Sequence, residues 1–133
     1  ANPTALVIAN NCFQAVNVIG FPEAKITLSQ AVIYLACSAK SNASYMAINQ
    51  AQEEVRKSGN LPVPLHLRNA PNKLMKELGY GKDYIYSHNK PNENQEFLPE
   101  EISGTSFYNP LNNTKENSFK EGLKNLWKNK YNY

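Results

Sequence analysis

Two histidines, two cysteines and one Gly-Lys step are the residues of this 133-residue chain best equipped for chemistry. His66 and Arg68 stand in Asn60-Leu61-Pro62-Val63-Pro64-Leu65-His66-Leu67-Arg68, where two prolines enforce an extended or single-turn path. A connector ordered in this way can hold an imidazole beside a guanidinium as a clamp for an anion or a carboxylate. The same residues suit an architectural role, with Leu65 and Leu67 anchoring the turn and Arg68 pairing an acid or capping a helix carboxyl end. Gly81-Lys82-Asp83 offers only the Gly-Lys pair of a phosphate-cradling loop. The earlier Gly and the following Ser/Thr are missing, so nucleotide is not bound here by that mechanism. A hydrolytic zinc site needs about three protein ligands, and neither His66 nor His88 has a second ligand at helical i, i+4 spacing. Cys12 and Cys37 lie among apolar residues in segments that read as helix. Such surroundings leave a thiol inert, so both are expected as buried, reduced thiols of a cytosolic protein.

Basic residues are the other chemical candidates. Lys120, Lys124 and Lys128 follow one another at i, i+4, i+8, and with Lys40, Arg56, Lys57, His66 and Arg68 they are the candidate anion or DNA contacts. The lysine row also reads as a solvated helix face, with Glu116 supporting Lys120 at i, i+4. A net charge of +3 is short of the dense clustering that marks a nucleic-acid surface by composition alone.

The elements that must position these groups are helices. Asn2 as N-cap and Pro3 at the first helical position start a helix that stops near Gly20. Leu6, Ile8, Ala9, Cys12, Phe13, Val16 and Ile19 project on one broad face of it, and Asn10, Asn11, Gln14 and Asn17 opposite. A second start at Phe21-Pro22-Glu23 leads into a run from Leu28 to Ala39 that is apolar nearly all round, which predicts a central position. A third helix begins at Ser41 or Asn42 and ends near Gly59, with Ala43, Ala47, Ile48, Ala51 and Val55 as its inner face. A short helix is expected over Asn72 to Leu78. Tyr84 to Tyr86 read as extended within a long Tyr-, Asn-, Glu- and Pro-rich stretch from Tyr80 to Pro110. The last helix is expected over about Asn117 to Lys130, with Phe119, Leu123, Leu126 and Trp127 inward. The fold class is therefore mainly α: one compact helical domain over residues 1–133, with a long structured loop region and a carboxy-terminal amphipathic helix. No apolar run reaches the roughly 18 residues of a membrane span.

Charge is distributed unevenly along these helices. Of 14 basic and 11 acidic side chains, only Glu23, Lys25 and Lys40 fall within residues 1–52. Helix faces left in water normally carry charge, whereas interface centres exclude it because desolvating an unpaired charge is costly. Much of this surface is expected to be covered, by the charged second part of the chain, by another copy or by a neighbouring domain. Phe13, Gln14, Asn17, Ile19, Phe21, Tyr34 and Tyr45 are the candidate interface residues.

Several separate motifs in order carry a resemblance. They are Phe21-Pro22-Glu23-Ala24-Lys25-Ile26, Leu28-Ser29-Gln30-Ala31-Val32-Ile33-Tyr34-Leu35-Ala36, Lys40-Ser41-Asn42-Ala43-Ser44-Tyr45 and Val63-Pro64-Leu65-His66-Leu67-Arg68-Asn69-Ala70. Leu78-Gly79, Gly81, Tyr84, Tyr86, His88, Phe97-Leu98-Pro99 and Phe107-Tyr108 continue the series, with Ser87 and Asn89-Lys90 as departures. From about Asn2 to Pro110 the chain resembles the carboxy-terminal domain of the replication-associated recombination protein A family. That family is also called maintenance of genome stability protein A, and its eukaryotic relative is the Werner helicase-interacting protein. The resemblance implies a parent AAA+ ATPase similar to clamp-loader subunits, acting on DNA at stalled or damaged replication forks. ATP and Mg would belong to the parent's amino-terminal ATPase region, with no cofactor and no catalytic residue here. The implied partners are three sister copies in a homotetramer, the parent's AAA+ domain, DNA through the full-length protein, and single-strand-binding protein. A cytoplasmic location and no membrane contact are expected from the reduced thiols and the lack of a long apolar run.

Overall fold

Pro3 and Gly20 bracket the first helix as the sequence predicts. The structure is a computed structural model and describes residues 1–86 and 95–133. His88, with Ser87, Asn89 and Lys90, lies outside the described residues. Helix α1 spans Thr4–Ile19, α2 Ala24–Cys37, α3 Ala43–Ser58, α4 Lys73–Glu77 and α5 Thr114–Trp127, with 3-10 turns at Leu65–Leu67 and Glu100–Ile102. The described residues contain no strand, and Tyr84–Tyr86 are irregular. The chain is the helical domain that its sequence pattern calls for. No helix among the described residues is long and apolar enough to cross a membrane.

Local chemistry sets the ends. Asn2 Oδ1 accepts the Thr4 N–H at 3.2 Å, a free donor that an uncapped helix start leaves unsatisfied. At the other end the Gly20 N–H reaches Val16 O at 2.9 Å with φ of 73°, a conformation in which a Cβ is strained. Ser41 Oγ accepts the Ala43 N–H at 3.1 Å and opens α3. Asn72 Oδ1 accepts the Met75 N–H at 2.9 Å and opens α4.

Helix α5 departs from expectation at both ends. It begins at Thr114 because Asn113 Oδ1 accepts the Glu116 N–H at 3.0 Å, while Glu116 reaches back to accept from Asn113 Nδ2 at 2.6 Å. This reciprocal cap lies in Asn113-Thr114-Lys115-Glu116 and outranks the later start predicted at Asn117. The helix ends at Trp127, since Lys128 takes a φ of 51° and turns the chain away.

α1 and α2 are the one pair of described elements that pack along each other. They form a hairpin across Gly20–Glu23, antiparallel because Ala1 bonds Ala39, Asn2 bonds Tyr34 and Cys12 bonds Thr27. Its seam is made of small residues. Cys12, Ala24, Ala31 and, on α3, Ala43 are the buried hydrophobic residues among those described, and no large side chain is fully buried.

Several expected burials therefore fail. α2 is not central: Ile26, Val32 and Ile33 are exposed, and so is Cys37, although Cys12 is buried as expected. On α1 the packed side contains Ala5, Ile8, Cys12, Ala15 and Val16, while Leu6 and Phe13 of the predicted apolar face are 78% and 64% exposed. On α3 the shielded row is Ala43, Ala47, Ala51 and Glu54, whereas Ile48 and Val55 face out. Apolarity marks a surface to be covered without saying which molecule covers it.

The area confirms the scale. A folded monomer of 15.0 kDa leaves about 7,000 Å² exposed, and this chain exposes 10064 Å². The excess is about 3,000 Å², and at least about 1,700 Å² of it remains when the whole surface of residues 87–94, at most about 1,300 Å², is set aside.

Candidate assembly interface

The α1–α2 hairpin carries most of the surface that asks to be covered. Residues 1–52 bring almost no charge to it, and its outer faces hold Leu6, Val7, Phe13, Val18, Ile19, Phe21, Ile26, Val32 and Ile33 in exposed positions. Of the interface candidates, Phe13, Gln14, Asn17, Ile19, Phe21 and Tyr45 are exposed. Tyr34 is half-buried instead, its hydroxyl accepting from Asn2 Nδ2 at 2.6 Å, and it helps line an apolar cleft of about 310 Å³ between α1 and α2. Asn17 turns back on its own helix, Nδ2 donating to Phe13 O at 3.0 Å.

The basic candidates are scattered, and several are already engaged. Lys40 donates to Leu35 O at 2.6 Å, closing the carboxyl end of α2. Lys57 pairs with Glu53 at 3.2 Å on the surface of α3. Arg68 spends its fork inside the chain: Nε donates to Val63 O at 2.6 Å and Nη1 to Tyr80 Oη at 3.2 Å, with the guanidinium 5.1 Å from the Tyr80 ring centre. His66 Nε2 donates to Glu96 O at 2.7 Å. The bonds that Arg68 forms are internal to the chain, and they go to a connector carbonyl and a phenol in place of the acid or helix carboxyl end expected for an architectural role. Arg56, Lys120, Lys124 and Lys128 are exposed, but Lys128 lies past the helix end and leaves the row. Among the described residues no three His, Cys, Asp or Glu side chains gather as metal ligands.

Two polar centres tie the carboxy-terminal part of the chain together, Glu116 reaching Ser41 between α2 and α3 and Lys130 reaching residues 95–97, and neither was picked out as a centre from the sequence. Glu116 on α5 is 3% exposed. It accepts from Tyr108 Oη at 3.1 Å and Asn113 Nδ2 at 2.6 Å, and also from Ser41 and the Leu111 N–H. Burial alone would raise its pKa, yet these four donors outweigh burial and hold it below the usual carboxylate value. Tyr108 is driven the other way, up to about 12, by burial and by its bond to Glu116. The second centre is Lys130. It donates to Gln95 O at 2.9 Å, pairs with Glu96 at 3.4 Å, and sits 5.1 to 6.0 Å from the ring centres of Tyr131, Trp127 and Phe97. Glu96 is raised by burial but lowered further by Ser103, the N–H groups of Leu98 and Phe97, and Lys130, to about 2. Trp127 is half-buried and packs edge-on against Phe97 and Tyr131.

Similarity to known proteins decides the family. The model of the family described as MgsA AAA+ ATPase C terminal matches residues 1–127. The chain belongs to this family.

Replication-associated recombination protein A of Coxiella burnetii is 45% identical over 126 residues, covering 92% of this chain and 29% of that protein. The Escherichia coli K12 protein of the same name is 40% identical over 126 residues, 92% of this chain and 28% of its own length. ATPase WRNIP1 of Dictyostelium discoideum is 40% identical over 111 residues, 81% of this chain and 13% of that protein. The chain thus spans under a third of the length of the curated relatives it matches. The family resemblance drawn from the Phe21–Ala36 and Val63–Ala70 motifs is borne out, and the hairpin and the Arg68 connector are where those motifs lie.

Proposed function

We propose that this chain is the assembly domain of a AAA+ ATPase, joining sister copies through the helices of residues 3–58, charge-poor up to residue 52, and docking the ATPase region of the longer protein. The observation that carries the reading is about 1,700 Å² or more of exposure beyond that of a closed monomer, once an extended chain's allowance for residues 87–94 is set aside, coupled to exposed apolar side chains on helices almost free of charge. A standard interface takes about 800 Å² from each partner, so the excess suits more than one contact per copy. A homotetramer, implied by the family resemblance, uses two contacts per copy. ATP and Mg act in the ATPase region, and these 133 residues carry out no chemical step; the parent works on DNA at replication forks. Single-strand-binding protein is a further partner on the family resemblance alone.

The test is the mass of the chain in solution by size-exclusion chromatography with light scattering. Assembly is expected to weaken when Gln14→Glu and Asn10→Lys are introduced together. A strict monomer at high concentration would sink the reading. ATP hydrolysis stimulated by DNA in the isolated chain would sink the absence of chemistry.

Exposed Arg56, Lys120 and Lys124 favour a second reading, a DNA-binding module. It requires binding by the isolated chain that falls steeply with salt and is lost on replacing those residues. Salt-insensitive or absent binding excludes it.

A further inference from the structure

An exposed flank of α1, which borders the α1–α2 cleft at Asn11, has an internal symmetry that the assembly reading does not require and that identifies a partner for it. Val7, Asn11, Gln14 and Val18 follow at i, i+4, i+7 and i+11 and so form one row along the helix. All four are exposed, Val7 at 56% and Val18 at 86%. The row reads apolar, amide, amide, apolar from either end. Turning a second copy antiparallel about an axis between residues 12 and 13 sets Val7 against Val18 and Asn11 against Gln14, each pair occurring twice. That is the reciprocal pairing an isologous contact demands, with the 4-3-4 spacing of an antiparallel helix seam.

The chemistry selects a copy of the same helix over other occupants. A two-fold axis brings like residues close together, so a charged row would repel itself, whereas an amide is both donor and acceptor and satisfies another amide. α1 contains no charged residue. Among the described residues no bond is made by the side-chain amides of Asn11 or Gln14, whereas the neighbouring Asn17 amide is bonded to Phe13 O. Exposed valines also have no local reason to be here, because β-branched residues are poor helix formers and gain only by packing.

Resting on the assembly reading, we infer that α1 meets α1 of a second copy antiparallel, with Val7 on Val18 and Asn11 on Gln14. The row is about 16 Å long, so it is one contact of the assembly. A dihedral tetramer needs a second and different two-fold contact, and the exposed Ile26, Val32 and Ile33 of α2 leave surface for it.

The experiment uses the 133-residue chain in two forms, Asn11→Glu with Gln14→Glu, and Asn11→Lys with Gln14→Lys. Each alone places like charges across the seam, and the dissociation constant is expected to rise about 100-fold or more. Mixed in equal amounts, the two forms should regain the wild-type mass as one-to-one assemblies in native mass spectrometry. Wild-type assembly by either form alone overturns the inference. So does a mixture that stays apart while both forms keep the wild-type circular dichroism spectrum. A wild-type chain that never assembles refutes the assembly reading itself, a distinguishable failure. The register is read independently in a Cys37→Ser background, where Val7→Cys mixed with Val18→Cys should form a mixed disulfide dimer on oxidation; its absence overturns the antiparallel register.

Discussion

Replacing Glu116 by Gln tests whether one buried carboxylate docks the carboxy-terminal helix. Neither α3 nor α5 packs lengthwise on another described helix, so the junction rests on four donors from Ser41, Tyr108, Leu111 and Asn113 converging on Glu116. Gln keeps the shape but removes the charge and turns one acceptor oxygen into a donor. Hydrogen bonds to a charged group contribute about 1.5–3 kcal/mol and neutral ones about 0.5–1.5, so weakening two or more of the four should cost about 2–3 kcal/mol. With a urea slope of about 2 kcal/mol/M, the unfolding midpoint should fall by about 1–1.5 M at unchanged slope. Protein concentration must be held fixed, because assembly contributes to apparent stability. Ultraviolet titration supplies a second readout: Tyr108, pushed up to about 12 by burial and by Glu116, should move back toward its ordinary value of 10. A midpoint loss below about 0.3 M, equivalent to roughly 0.6 kcal/mol at that slope, would refute the reasoning.

Lys130→Met keeps an apolar stem among Phe97, Trp127 and Tyr131 but loses the bonds to Gln95 and Glu96, and should cost about 1–2 kcal/mol in urea unfolding. Glu96 sits at about 2 in the folded chain against 4.5 otherwise. Its stabilising contribution is thus complete above pH 4.5 and lost as pH falls through about 2, which carboxylate NMR titration with acid unfolding can follow. Allowing for solvent screening, that contribution is of order 1–2 kcal/mol. Arg68→Lys forfeits the fork to Val63 and Tyr80 and should destabilise by about 1–2 kcal/mol, with no change in the salt dependence of any DNA binding.

Local signals were legible in the sequence: Asn2, Pro3 and Gly20 bound α1, Gly59 ends α3, and Asn72 opens α4. The family was legible as well, from the Phe21–Ala36 and Val63–Ala70 motifs. The start of α5 was missed because the reciprocal Asn113–Glu116 cap sits in a segment otherwise read as loop. Central placement of α2 and burial of Cys37 failed for a physical reason. Periodicity measures how much surface avoids water, and it is blind to whether the cover comes from the same chain. Glu116 could not be picked out, since Ser41 and Tyr108 are remote in sequence and only its i, i+4 relation to Lys120 was visible. Arg68 was a candidate for either role from the sequence, and in the structure it bonds the Val63 carbonyl and the Tyr80 hydroxyl, partners that its sequence neighbours did not point to.

The account turns on one number, the mass of the 133-residue chain by sedimentation equilibrium over a hundredfold range of concentration. It predicts association toward a mass of four chains, reversed on dilution. A mass of 15.0 kDa at every concentration would contradict it.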